Sequence, residues 1–170
     1  MAENGAIVES ADDLVDPVVI GPEAYTSREY LERERERLWR KCWLQAGRVE
    51  DIPEVGNFIT YDVMDDSILI VRSAPDTIKA FYNVCTHRGR KLVDVPAGKR
   101  NAHGKQMRFV CGFHAWTFTT EGKCTFIEHQ DDWKGKLNEA RTSLGPVKVD
   151  TWGGWIWINM DPEAMPLAEY

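Results

Sequence analysis

Nowhere in the 170 residues does an apolar run approach the roughly 18 needed to span a membrane as a helix. Cysteine is scarce: four residues are too few for a disulfide scaffold and fit a reducing, cytoplasmic setting. Positive charge is in deficit, with 21 Lys and Arg against 27 Asp and Glu, and the resulting −6 argues against general nucleic-acid binding. The first sixteen residues lack the basic start and apolar core of a secretory signal. No internal repeat is present. What remains is ordinary for a globular protein, 43% hydrophobic and 28% charged, in a chain long enough for one domain with a real core.

In chain order, residues 1–24 carry Glu3, Glu9, Asp12, Asp13 and Asp16 but no Lys or Arg, and read as an acidic, flexible lead-in. Residues 25–44 read as one α-helix. Thr26 is its expected cap, Glu29 reaches back to it, and Leu31, Leu38 and Cys42 share a face widened by Tyr30 and Trp39. The alternating charges of Glu32–Arg37 read as a solvated face. From Trp43 the texture changes to short β-type runs: 43–47, 58–63, 68–72, 78–84, 107–110, 117–120, 124–127, 147–151 and 155–159. Many short strands between turns predict an all-β sandwich or small barrel. Residues 128–146 are polar and irregular and read as a loop with one helical turn.

Two Cys/His pairs stand out, Cys85-Thr86-His87 and Cys111-Gly112-Phe113-His114, separated by residues 88–110. Thiolates favour zinc, copper(I) or iron–sulfur centres, and imidazole serves zinc and iron alike. Zinc fingers usually put both cysteines on one turn and both histidines on another. Here each turn offers one of each, which suits a two-iron cluster held by two thiolates on one iron and two imidazoles on the other.

The motif Cys85-Thr86-His87-Arg88-Gly89 with Cys111-Gly112-Phe113-His114-Ala115-Trp116 resembles the Rieske domain of aromatic-ring-hydroxylating oxygenases. Most of the chain shares the likeness, from Trp39-Arg40-Lys41-Cys42-Trp43 through Asp51-Ile52-Pro53 to the closing Trp152–Pro162. The resemblance implies an all-β fold of stacked antiparallel sheets with a small cluster-binding part, preceded by an N-terminal helix. It implies a Rieske domain over 45–162, with the cluster part at about 84–127, and 163–170 beginning a linker to a catalytic domain. It implies a [2Fe–2S] cluster on Cys85, His87, Cys111 and His114, with Arg88 and Trp116 supporting the cluster loops. In that family a ferredoxin or flavoprotein reductase is the electron donor. A catalytic domain with a mononuclear Fe(II) is the acceptor, and trimers are usual. No membrane or nucleic-acid partner is implied, nor any catalytic residue in this chain.

The family's second turn usually reads Cys-Pro-x-His-Gly-Trp. Here Gly112 replaces Pro, Phe113 the frequent Tyr, and Ala115 the Gly, while the loop between the turns is longer around residues 98–106. Respiratory Rieske subunits carry an extra cysteine in each turn, and Arg90 and Phe113 stand at those places here, so the likeness is to the oxygenase and ferredoxin branch. His ligation leaves the cluster less negative than four cysteines would, raising its potential. Each imidazole also keeps one nitrogen free to exchange a proton, so the midpoint is expected to fall in alkali. Around the ligands Arg88, Arg90, Lys91, Lys99, Arg100, Lys105 and Arg108 face a lone Asp94, a basic patch suited to steering an acidic donor or simply a solvated surface. Cys42 and Cys124 read as plain buried thiols, and His103 and His129 as exposed histidines. Two alternatives stay open: a freestanding Rieske ferredoxin and a structural Cys2His2 zinc module.

Overall fold

A computed structural model describes residues 20–170. The acidic lead-in, 1–24, lies almost wholly outside the described residues. The first elements are two short helices, α1 (Glu23–Thr26) and α2 (Arg28–Glu34), the second passing directly into a π-turn over Arg35–Trp39. Ten strands follow: β1 (Leu44–Arg48), β2 (Asn57–Val63), β3 (Asp66–Ala74), β4 (Thr77–Tyr82), β5 (His103–Lys105), β6 (Arg108–Val110), β7 (Thr117–Thr119), β8 (Cys124–Phe126), β9 (Pro146–Trp152) and β10 (Trp155–Asn159). A one-turn helix, α3 (Glu139–Thr142), precedes β9. All nine sequence-predicted strands are present, in two antiparallel sheets ordered β1-β10-β9-β4-β3-β2-β5 and β6-β7-β8.

Strand β3 divides the interior. Its run Ile68-Leu69-Ile70-Val71 is apolar at every position because both faces of the strand are covered, and none of the four is exposed. Ile68 and Ile70 point into one core with Leu44, Ile59, Ile156 and Ile158. Leu69 and Val71 point into another with Phe58, Phe81, Phe109 and Phe118, between the large sheet and the small one. Phe58 meets Phe109 edge to face, ring centroids 5.5 Å apart. Full burial of each aliphatic side chain contributes about 1.5–3 kcal/mol before entropy is counted, so β3 anchors both halves. Cys85, Cys111 and Trp116 belong to the second core.

The N-terminal helix differs from its prediction. The cap is Ser27, whose hydroxyl accepts from the Tyr30 N–H at 3.3 Å, whereas the Thr26 hydroxyl donates back to the Pro22 carbonyl at 2.9 Å. Thr26 therefore closes α1, and the extended Ser27 backbone breaks the helix before α2. The expected apolar face packs only in part: Trp39 and Cys42 lie against the first core, while Leu31 and Leu38 are exposed. Ion pairs also tie the helix to the sheet. The Arg40 guanidinium grips both carboxylate oxygens of Asp66 at 2.8 Å, and Arg35 reaches Asp65 at 3.2 Å.

The longer segment between the two Cys/His turns supplies the one strand that was not foreseen. β5 pairs with β2 through Lys105 opposite Asn57 and His103 opposite Ile59, and so forms the sheet's edge. The chain's last residues fold back on the sheet, where the Trp43 indole donates to the Met165 carbonyl at 3.0 Å. No helix among the described residues is long and apolar enough to cross a membrane.

Candidate metal centre

The two Cys/His turns are built alike. In the first, which follows β4, the Cys85 N–H donates to the Arg90 carbonyl at 2.8 Å and the Gly89 N–H to the Cys85 carbonyl at 3.0 Å. In the second, which joins β6 to β7, the Cys111 N–H donates to the Trp116 carbonyl at 2.8 Å and the Ala115 N–H to the Cys111 carbonyl at 3.0 Å. Each turn thus closes over five residues with its cysteine at the base. The fourth residue after each cysteine lies in the left-handed region, Gly89 at φ +73° and Ala115 at φ +54°. Glycine suits that conformation and alanine does not.

The four predicted donors come together as two like pairs. Both cysteines are buried, and the neighbouring Cys111 thiol joins desolvation in pushing the Cys85 thiol up to about 11. The His87 and His114 rings lie 4.7 Å apart at 65°. Desolvation, with the approach of His114 and Arg88, holds the His87 imidazole below its usual range. His114 Nδ1 is buried without any hydrogen-bond partner, which in a folded protein calls for an explanation. A metal ion bound there supplies one. Among the described residues no three His, Cys, Asp or Glu side chains gather as around a single ion. Thiol beside thiol and imidazole beside imidazole is instead the arrangement that a centre with two unlike irons uses.

Trp116 is buried and lies flat against His87, centroids 4.9 Å apart with the planes 6° from parallel. Arg88, the other supporting residue expected from sequence, is exposed and makes no ion pair among the described residues. The basic patch is partly neutralised by acids from elsewhere. Arg90 pairs with Asp94, Lys91 with Asp62 and Lys105 with Glu54. Arg88, Lys99, Arg100 and Arg108 keep their charge unpaired among the described residues. Phe113 is exposed and leans on His114 at 3.9 Å.

Two residues at the site were not foreseen. Asn83, only 1% exposed, clamps the first turn from behind: its amide donates to the Val93 carbonyl at 2.8 Å and accepts from the Val93 N–H at 3.0 Å. An asparagine at a strand end looks like any turn former in the sequence. Trp133 sits in a polar stretch without periodicity, yet its ring meets both His87 and Trp116. A lone indole amid charged residues was the available signal. Cys42 and Cys124 are half-buried rather than buried, with thiols raised by desolvation, and His103 and His129 are exposed as expected.

The Rieske [2Fe-2S] domain model matches residues 42–148, which include both turns and the whole of the second core. The chain belongs to this family. Among its relatives is the carnitine monooxygenase oxygenase subunit of Acinetobacter baumannii, 31% identical over 82% of this chain and 36% of that protein. The benzene 1,2-dioxygenase subunit alpha of Pseudomonas putida is 30% identical over 89% of this chain and 32% of its own length. A solved quaternary ammonium Rieske monooxygenase in complex with L-carnitine superposes with a TM-score of 0.76 at 30% identity, covering 86% of this chain and 40% of that one. The chain therefore spans about a third of the length of the proteins it matches. The family is one of [2Fe–2S] domains rather than zinc modules, and the relatives named are oxygenase components.

Proposed function

We propose that Cys85 and Cys111 hold one iron of the [2Fe–2S] cluster and His87 and His114 the other, and that the domain relays single electrons within a non-haem iron oxygenase. The unpartnered, buried Nδ1 of His114, together with the pairing of the Cys85 and Cys111 thiols, carries this reading. The cluster supplies a reversible one-electron couple when bound. The chain's own residues prepare its seat. Burial of Cys85 and Cys111 excludes water from the sulfurs, the two turns close with matching hydrogen bonds, and Trp116 lies flat on the His87 ring. Because both imidazoles are only half-buried, their side of the site is open to a docking protein, whereas the cysteine side is covered by the second core.

In this reading the donor is a ferredoxin or flavoprotein reductase, and the acceptor is a mononuclear Fe(II) in a catalytic domain to which residues 163–170 begin the linker. Arg88 supports the first turn. The oxygenase works in the cytoplasm and assembles as a trimer through that further domain. The likeness to full-length oxygenase subunits favours this over a freestanding ferredoxin.

The deciding experiment takes purified, reconstituted protein and records its visible absorption and, after dithionite reduction, its EPR. A coloured protein with a rhombic signal below the free-electron g value is expected, and His114→Ala should abolish it. A colourless protein containing zinc would overturn the reading.

A further inference from the structure

His87 makes no side-chain hydrogen bond among the described residues. A histidine ligand is ordinarily oriented by a hydrogen bond from its second nitrogen to a carboxylate, carbonyl or water. Here rings do that work on two sides. Trp116 lies flat on the imidazole, and Trp133 stands edge-on to it, 5.7 Å away at 78°. Trp133 also stands edge-on to Trp116, at 6.0 Å and 72°, so the three rings form a closed triangle.

Trp133 arrives from a segment with little else to hold it there. From Glu128 to Lys136 every residue but Trp133 is exposed. Its short 3-10 turn, Gln130–Trp133, is flanked by His129 at φ +53° and Lys134 at φ +50°, two side-chain-bearing residues in a left-handed conformation that favours glycine. Such backbone persists only where the surroundings over-determine it. The indole's seat against His87 and Trp116 is the contact that does so. A second tie secures the far end of the segment: the Thr86 hydroxyl, next to His87, donates to the Thr142 carbonyl at 2.8 Å.

We infer that Trp133 is a positioning residue for the metal centre, fixing the plane of His87 and keeping water off its flank. The inference rests on the reading of His87 as an iron ligand. Removing the indole admits water beside the imidazole and frees the ring to turn. Water stabilises the more negative reduced state, so the midpoint potential rises, and a ring free to turn spreads the ligand geometry.

The test compares reconstituted wild type with Trp133→Ala, Trp133→Phe and the neighbouring control Leu137→Ala, which loosens the same segment without touching His87. Midpoint potential, the EPR line shape of the reduced protein and the half-life of the visible absorption in excess chelator are measured for each. Trp133→Ala should raise the potential, broaden the EPR and shorten the half-life about tenfold. Trp133→Phe should stay near wild type, and Leu137→Ala should leave potential and line shape unmoved. If Trp133→Ala does not load, Trp133→Leu takes its place, and a shifted Leu variant beside an unshifted Phe variant supports the role. A wild-type potential in Trp133→Ala, or equal shifts in Trp133→Ala and Leu137→Ala, overturns it. Absence of the Rieske spectrum from the wild type itself would overturn the ligand assignment instead.

Discussion

Gly89 and Ala115 occupy the same place in two matching turns: each lies four residues beyond a cysteine, donates its N–H to that cysteine's carbonyl, and holds a positive φ. One turn therefore carries the residue its geometry favours, and the other does not. Ala115→Gly should stabilise the folded domain by about 1 kcal/mol at most. Relief of the left-handed penalty of roughly 1–2 kcal/mol is partly offset by glycine's greater freedom when unfolded. Gly89→Ala should cost about as much, and through backbone conformation alone, because no atom lies within 4 Å of the added Cβ. Urea unfolding of the two variants checks both signs.

Asn83 invites the reverse experiment. Asn83→Ala leaves the N–H and carbonyl of half-buried Val93 without their partner, at about 1–2 kcal/mol. Because residues 83 and 93 bracket the first turn, iron bound per chain should fall along with stability. Iron analysis beside a denaturation curve measures the two together, and full iron content in a destabilised variant would show that the clamp does not govern the turn.

Acid should weaken the fold through three surface carboxylates. Hydrogen bonds from Arg90 and Lys105 hold Asp94 and Glu54 below the ordinary carboxylate range, and the Glu163 N–H followed by Lys41 does the same for Asp161. A carboxyl with a lowered folded pKa stabilises above its unfolded pKa, here near 3.8 for Asp and 4.5 for Glu, and that contribution is lost as pH falls through the folded value. The contribution of these three carboxylates should be level from about pH 7 to 5 and decline below about pH 4. The triple variant Glu54→Gln, Asp94→Asn, Asp161→Asn should show a shallower decline across the same range of denaturation midpoints.

The pairing of charges sorts the basic patch. Arg88 and Arg108 lack ion-pair partners among the described residues, whereas Lys91 is held by Asp62. Reversing Arg88 and Arg108 together to Glu should slow reduction by an acidic donor about tenfold at low ionic strength, and the difference should vanish in high salt. Lys91→Ala should have a much smaller effect. Stopped-flow reduction at two salt concentrations separates these outcomes, and rates indifferent to salt would remove steering from the account.

The strands and the two Cys/His turns were legible in the sequence because both leave local marks. Alternation and unbroken aliphatic runs signal strands, and two pairs with one Cys and one His each signal a mixed set of candidate donors. What escaped reading depends on distant partners. β5, His103-Gly104-Lys105, has no apolar pattern and exists because β2 offers it an edge. Thr26 and Ser27 are equally good caps on paper, and the turn begun at Pro22 decides between them. Leu31 and Leu38 show helical spacing without burial, since periodicity says which residues share a face and not whether anything covers it. Trp133 is set by the tertiary contact with His87 and leaves no periodic trace.

The double burial of β3 also bears on how the metal centre is made and lost. Ile68 and Ile70 close one core with none of the proposed ligands in it, while Leu69 and Val71 line the core that contains Cys85 and Cys111. Oxidative destruction of the metal centre would strip only the second of these, leaving the larger part of the sheet to act as a mould. A protein stripped of its iron should on that reading keep the first core folded, and reconstitution with iron and sulfide should restore the centre without refolding of the sheet.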